Sequence, residues 1–497
     1  MCGINGFNFR DEELIQKMNT KIAHRGPDDA GVFVGENISL GHRRLSIIDL
    51  SQMAHQPMTT PDGRFTVIYN GELYNFKELK KELVEDPELG RRGEFNFKSN
   101  SDTEVVLYAY KKWGKECLNF FNGIFSFAIW DNQEKELFLA RDQFGVKPLY
   151  YYHKDGKFVF SSEAKAILEH KYIERKINQE SLNRYLRFLY VAGPETMWQD
   201  IKKLPAGHFA ILKNNNLEIK KYYFLAEGEY LQDEKEIKGI VRKAMGEAVR
   251  RQLVSDKPVG LFLSGGLDSS ILCAVMAKEF NCPVKTFSIG FDTDVETEKF
   301  NADFKIAEKT AKYFGTDHNP IMLTGKDVLE NFENCVIAMD EPVSNHIQVA
   351  AYLLAKETKK QVAVALGGDG GDETFGGYDR YYFMNQIYRL RKFFPFLKNK
   401  KCSDLLGKAL GKKNLSEKLS FKDDLELFLS FMAQKEEIIS KFLNNDLNND
   451  LNHYLNNDIS YKEKYQPYFE AGWKDKINQM LRADMETWLI DESLVRS

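Results

Sequence analysis

Near residue 235 the hydrophobic period of this chain changes, and that change limits the fold more than any other feature. Before it, short apolar runs alternate in strand fashion between turn signals: GRFTVIYNGELYNF at 63–76, FSFAIWD at 125–131 and ELFLARD at 136–142. After it, IKGIVRKAMGEAVRRQL has the spacing of an amphipathic helix. Strand VGLFL (259–263), helix SSILCAVMAKEF, strand KTFSIGF (285–291), helix DFKIAEKTAKYFG and strand QVAVALGG (361–368) then follow in turn. The first pattern predicts an α+β domain. The second predicts α/β, a parallel sheet with ligands at the carboxyl ends of its strands. Residues 190–223 hold two prolines and several turn signals and are expected to connect the two.

Composition narrows the class. A net charge of −4 and a pI near 6.2 argue against a nucleic-acid partner held by bulk charge. The six cysteines (Cys2, Cys117, Cys273, Cys282, Cys335, Cys402) are scattered without a CxxC, which suits thiols in a reducing compartment. No run of about 18 apolar residues predicts a membrane span. MCGINGFNFR lacks the basic start and apolar core of a signal peptide, so a cytoplasmic protein is expected. In LNNDLNNDLNHYLNND (443–458) leucines recur every four residues, as a surface helix or a polar loop would allow, and no function attaches to it.

Cys2 follows the initiator methionine. Once Met1 is removed, Cys2 carries a free α-amine beside its own thiol. With a pKa of roughly 7.7–8.0 that amine is partly unprotonated near neutrality and can activate the thiol without a histidine. A small buried cysteine at a strand start is the alternative for Cys2 alone. Further along come HRGPDDAG (24–31), GHRRLSIIDLS (41–51), YNGELYN (69–75), SDTE (101–104) and ARDQFGVKPLYY (140–151). Each has a structural reading: Asn70-Gly71 as a hairpin turn, Ser101 with Glu104 as a capping box, Arg44 as a surface ion pair. In the rear half, LSGGLDSS (263–270) lies between strand and helix, where glycines let backbone approach phosphates and the helix N-terminus offers N–H donors. No G-x-x-x-x-G-K-[ST] occurs, so it is not a Walker A loop.

In this order the front segments resemble the class II glutamine amidotransferases, and SGGLDSS with LGGDGGDETFGGYDRY (366–381) resembles the ATP-pyrophosphatase group. Together they resemble the glutamine-dependent asparagine synthetase family. The resemblance implies an N-terminal-nucleophile αββα sandwich at 2–190, a connection at 191–225, and a Rossmann-like ATP-pyrophosphatase domain at 226–497. It implies a thioester on Cys2, with Asn70 and Gly71 as oxyanion donors. Arg44 would hold the glutamine α-carboxylate, Glu72 and Asp102 the α-ammonium, and Leu45, Ser46, Ile47 and Ile48 would line the pocket. ATP would contact Phe262, Ser264, Gly265, Gly266, Asp268, Ser269, Ile289, Gly367 and Gly368, with Mg²⁺ at Asp268 and Asp372. DEPVSN (340–345) would lie near the acceptor site. Aspartate would be activated as an acyl-adenylate, ammonia would pass internally between the sites, and AMP and pyrophosphate would leave.

Two departures stand out. The family's second signature begins with glutamate where this chain has Asp369, a residue expected to handle protons or ammonia. The family also continues past a helix like METWLIDESLVRS with a phosphate-facing lysine and an LExRxPFLD-like string, so the end at Ser497 reads as an incomplete chain. As given, it would then hydrolyse glutamine without making asparagine. An amidotransferase for sugar acids, a glutaminase alone and a non-catalytic glutamine or nucleotide sensor are the alternative functions. A β-lactam-forming relative fits less well, because Cys2 is kept. Self-association as a homodimer stays open.

Overall fold

The computed structural model describes the chain except for residues 86–94, 281–282, 410, 412, 422, 436–437, 440–459, 471–472, 474 and 495–497. Cys282, the Asn-rich segment and Ser497 therefore lie outside the described residues. The rest groups into two compact units. One comprises residues 1–176, 198–340 and 345–368; the other comprises 177–197, 341–344 and 369–497.

The first unit begins with two antiparallel sheets. Strands β1 (Gly3–Phe7), β2 (Asp29–Val34), β3 (Ser39–Arg44), β8 (Tyr150–Lys154), β9 (Lys157–Ser161) and β10 (Ile201–Lys203) form one, in the order β10-β8-β9-β1-β3-β2. Strands β4 (Met58–Thr59), β5 (Phe65–Leu73), β6 (Gly123–Asp131), β7 (Glu136–Arg141), β11 (His208–Lys213) and β12 (Asn216–Lys221) form the other, in the order β12-β11-β7-β6-β5-β4. Strand alternation sends Ile4, Leu40 and Phe160 from the first sheet, and Ile68, Ala128 and Leu139 from the second, into one shared apolar layer. Outside the first sheet, helix α1 (Glu12–Lys21) covers Phe7 and Val159 with Ile15 and Met18. Outside the second, α2 (Phe76–Glu85) and α3 (Asp102–Trp113) bury Leu79, Leu83, Val105 and Val106 over Val67, Phe125 and Phe127. The result is the expected αββα sandwich.

Residues expected only to connect the two halves also build this sandwich, since β10, β11 and β12 lie within 191–225. HFAILK and NLEIKK alternate apolar and polar residues, and Asn214 and Asn215 take the positive φ (51° and 62°) that the hairpin between them needs.

Within the same unit a parallel sheet follows, in the order β15-β14-β13-β16. Its strands are β13 (Val259–Phe262), β14 (Lys285–Asp292), β15 (Asp317–Thr324) and β16 (Val364–Leu366). After α4 (Ala164–Ile167), α5 (Gln179–Phe188) and α6 (Glu234–Gln252), helix α7 (Leu267–Glu279) crosses from β13 to β14. Then α8 (Thr297–Phe300) and α9 (Ala302–Phe314) lead to β15, and α10 (Gly325–Ala338) and α11 (Gln348–Thr358) lead on to β16. β13 pairs with β14 on one side and with β16 on the other, so the order reverses between β13 and β16. A crevice at the carboxyl ends of these strands is the place where such sheets take ligands.

The second unit is helical. Helices α5, α12 (Gly371–Phe375) and α13 (Asp379–Phe393) join later helices around Phe188, Tyr190, Met384, Phe428, Tyr465 and Met480.

Candidate active site

Cys2 precedes β1, a central strand, and its Sγ lies 3.4 Å from the Leu45 N–H that points at it. Arg25 Nε donates to the Cys2 carbonyl at 2.9 Å, and Arg25 is itself fixed by Glu163 at 3.0 Å. Burial would raise the Glu163 carboxyl, but His24 at 2.9 Å, Arg25 and Lys165 hold it down to about 2, so this anchor stays charged. Burial pushes the Cys2 thiol up, only partly offset by the nearby α-amine and the Leu45 N–H. A neutral thiol of this kind needs a base. Burial, with Arg25 alongside, lowers the Met1 α-amine to about 5, so an amine placed here is a free base at neutral pH. Removal of Met1 would free the α-amine of Cys2 itself, next to its own thiol.

The next group rests on the pleat of β5. Phe125 directs both polar groups toward Asp142, accepting from the Asp142 N–H at 2.8 Å and donating to Asp142 Oδ2 at 3.2 Å. Its partner across the ladder is Gly71, which therefore turns its N–H away from β6. On the same edge, the Tyr69 N–H donates to Gln56 Oε1 at 2.7 Å and the Tyr69 carbonyl accepts from His42 Nε2 at 3.0 Å. Leu73 donates to Asp102 Oδ2 at 2.9 Å. The Gly71 N–H sits between these two filled positions, facing the open edge. A Cβ at Gly71 would press into the Ile124 carbonyl and approach Phe125 Cα to 2.7 Å, so the close strand approach requires glycine. Asn70 shares its face with Ile68, whose side chain enters the layer between the sheets, so its amide projects toward the sheet that carries Cys2. Asn-Gly thus lies in mid-strand, which excludes the hairpin-turn reading.

Beside this edge lie two acids. Glu72 Oε2 is shielded from solvent and has no hydrogen-bond partner among the described residues. Burial and neighbouring Asp102 raise Glu72 well above the usual carboxylate range. Burial also lifts Asp102 to about 6, against the N–H groups of Leu73 and Thr103 and the hydroxyls of Tyr69 and Ser101 that favour its anion. An acidic pair with an unfilled acceptor suits a cationic guest. Ser101 does cap α3, accepting from the Thr103 N–H at 3.2 Å. Glu104 instead receives the N–H groups of Lys98 and Ser99, so no reciprocal box forms.

Arg44, at the end of β3, is 5% exposed. It donates to the carbonyls of Ser51 (3.0 Å) and Asp49, so the loop 45–51 wraps its guanidinium and leaves donors for an anion. Ser46 anchors the loop through its N–H to Asp28 Oδ2 at 2.9 Å, Ile48 packs against the neighbouring core, and Ile47 receives a backbone bond from Asp256 at 2.9 Å. A thiol with its base, an open N–H edge, an acidic subsite and a basic subsite together match a zwitterion carrying a side-chain amide.

The second candidate site forms where the parallel sheet reverses. Leu261 of β13 pairs with Leu366 of β16, which brings the loop 263–269 beside Gly367 and Gly368. Gly265 has φ +80°, and a Cβ there would meet the Asp303 carbonyl. Gly266 is the N-cap of α7 with no side-chain cap, and a helix N-terminus of this kind suits an anion. Ser269 Oγ bonds the Ser264 N–H at 3.2 Å and pins the loop. A Cβ at Gly368 would sit 3.0 Å from Asp268 Cβ and 3.3 Å from the Ser269 nitrogen, so glycine keeps this cradle open. Phe262 is half-buried just before the loop. Ile289 on β14 packs with Leu323 and Val349 in a small apolar cluster.

In the second unit, Asp369 is exposed ahead of Gly370, which caps α12 at φ +90°. The Asp372 carbonyl accepts from Gly376 and Gly377, and a Cβ at Gly377 would collide with Asp372 Oδ1, so this turn fixes the carboxylate. Glu373, buried, accepts from Tyr378 Oη at 2.8 Å.

Several residues near the thiol escaped the sequence reading. Arg25 and Lys147 lie inside the segments HRGPDDAG and ARDQFGVKPLYY, but no local pattern gives either a task. Glu163 and Gln56 carry no sequence signal, because Arg25 and Thr103, which they bond, lie 138 and 47 residues away.

The glutamine amidotransferase domain family matches residues 1–223, and the asparagine synthase family matches residues 240–496. A Bacillus subtilis protein named asparagine synthetase [glutamine-hydrolyzing] 1 is 33% identical over all of this chain, which covers 77% of that protein. A Methanocaldococcus jannaschii protein named putative asparagine synthetase [glutamine-hydrolyzing] 2 is 37% identical over 80% of this chain and 80% of its own length.

Proposed function

The chain belongs to the glutamine-hydrolysing asparagine synthetase family, and from that premise we propose how its residues divide the work of converting aspartate to asparagine with glutamine as nitrogen donor. Freed of Met1, Cys2 passes its thiol proton to its own α-amine and attacks the glutamine side-chain amide. Arg44 takes the α-carboxylate, while Glu72 and Asp102 take the α-ammonium. Donors from Asn70 and Gly71 receive the developing oxyanion, where each such donor is worth about 10²–10³ in rate. Ammonia leaves, and water releases glutamate from the thioester.

At the second site ATP is the co-substrate. The α7 N-terminus, Ser264, Gly265, Gly266, Ser269, Gly367 and Gly368 would cradle its phosphates, with Phe262 and Ile289 toward the base. The cradle that a Cβ at Gly368 would fill fits a phosphate group. Asp268 and Asp372 would hold Mg²⁺, which screens phosphate charge and usually needs only one or two protein carboxylates. The aspartate carboxylate attacks the α-phosphorus to give an acyl-adenylate and pyrophosphate. Ammonia then displaces AMP, and Asp369 would handle its proton. We place this chemistry in the cytoplasm, where aspartate and ATP are abundant.

The observation that carries the reading is the unfilled acceptor of Glu72 beside the Gly71 edge and the Cys2 thiol. Cys2→Ala tests it. The variant should lose glutamine hydrolysis while keeping the parent's melting temperature. Glutamine hydrolysis that survives the substitution would refute the assignment.

A further inference from the structure

Residues beyond the sandwich reach back to the loop that wraps Arg44. Asp256 holds this loop at two points. Its N–H donates to the Ile47 carbonyl at 2.9 Å, and its Oδ2 accepts from the Asp49 N–H at 2.8 Å. Asp49 is held at φ +56°, a left-handed conformation that costs energy unless its surroundings fix it. Its carbonyl is one of the two that grip the Arg44 guanidinium. Next in the chain, Lys257 Nζ pairs with Asp28 Oδ2 at 2.6 Å, the same oxygen that accepts the Ser46 N–H. Burial would raise Asp28, but Lys257 and Ser46 bring it below its ordinary value, so the pair is charged at neutral pH. Val254 and Ile48 pack against the same core.

This clasp is continuous with the other site. Ser255 Oγ closes the turn, accepting from the Lys257 N–H at 3.0 Å and donating to its carbonyl at 2.8 Å. Pro258 then accepts from the Ala363 N–H at 3.1 Å, just ahead of β16. β13 begins at Val259 and runs directly into the Ser264–Ser269 loop. β13 thus joins the nucleotide loop directly to the turn that fixes Asp49.

We propose that Asp256 and Lys257 are positioning residues of the glutamine site, through which the nucleotide loop and the Arg44 loop set each other's affinity. The inference rests on the reading of Arg44 as the glutamine carboxylate clamp. Linkage makes the coupling reciprocal, and such couplings typically change affinity by about 5–150-fold.

The test uses the full chain and follows glutamate release, with and without a non-hydrolysable ATP analogue. In the unaltered protein the analogue should shift the KM for glutamine. Lys257→Ala and Asp256→Ala should raise that KM about fivefold or more and abolish the shift, leaving kcat at saturating glutamine within twofold. Lys257→Arg and Asp256→Asn keep the pairing group and should restore both. An unchanged KM in the alanine variants overturns the proposal. So does a fall of kcat for glutamine hydrolysis together with a lowered melting temperature, the signature of general unfolding. Absence of glutamine hydrolysis in the unaltered protein would instead refute the functional reading itself.

Discussion

Exchanging Glu72 for glutamine keeps the shape of the side chain and removes its charge. Glu72 Oε2 is a shielded acceptor without a partner among the described residues, and burial with Asp102 raises its pKa. A carboxyl whose folded pKa exceeds its unfolded value gives its full stability below the unfolded pKa, near about 4.3. That contribution is lost as pH rises through the folded pKa. Glu72→Gln should therefore melt higher than the parent at pH 8, and the difference should vanish by about pH 4. An unmade buried hydrogen bond costs about 1–3 kcal/mol, which sets the scale of the gain. Glutamine binding should move the opposite way. Truncating one partner of a buried charge pair costs about 2–5 kcal/mol, so the KM should rise about thirtyfold or more. Melting curves across pH 4–8, with and without glutamine, and steady-state glutamate release measure both effects. A pH-independent melting difference together with an unchanged KM would refute the placement of the α-ammonium at Glu72.

Gly71→Ala should destabilise by roughly 1–3 kcal/mol, because its Cβ would meet Phe125 Cα at 2.7 Å. By displacing the edge N–H it should also cut glutamine hydrolysis about 10²-fold, read as glutamate release at saturating glutamine. Asp268→Asn or Asp372→Asn should abolish Mg²⁺-dependent pyrophosphate release, a several kcal/mol effect where metal neutralises phosphate charge, while glutamine hydrolysis stays within a few-fold.

The sequence revealed elements whose cause is local. Alternation marked β5, β6 and β7, and the apolar run before SGGLDSS marked β13. β15 escaped because its apolar run is only Ile321–Leu323 and it carries Pro320, which a sheet edge tolerates and a central strand does not. QVAVALGG was overextended, since only Val364–Leu366 pairs as β16. In the candidate site, Cys2, Arg44 and Asn70-Gly71 were legible as motif residues. Gln56 filling the Tyr69 N–H, Glu163 anchoring Arg25 and Asp256 clasping Asp49 were not. Each depends on a meeting between distant segments that only the folded sheets create.

The chain passes between its two compact units at residues 176–177, 197–198, 340–341, 344–345 and 368–369. Its first excursion carries α5, Phe188 and Tyr190 into the helical unit before the chain returns to supply β10, β11 and β12 to the sandwich. A cut near residue 190 would leave β7 and β8 with bare edges, and a cut near 225 would strip Phe188 and Tyr190 of the neighbours that bury them. Neither half can be transplanted by a single crossover without exposing a sticky strand or a greasy loop. The interleaved backbone thus makes this bifunctional chain one unit of inheritance.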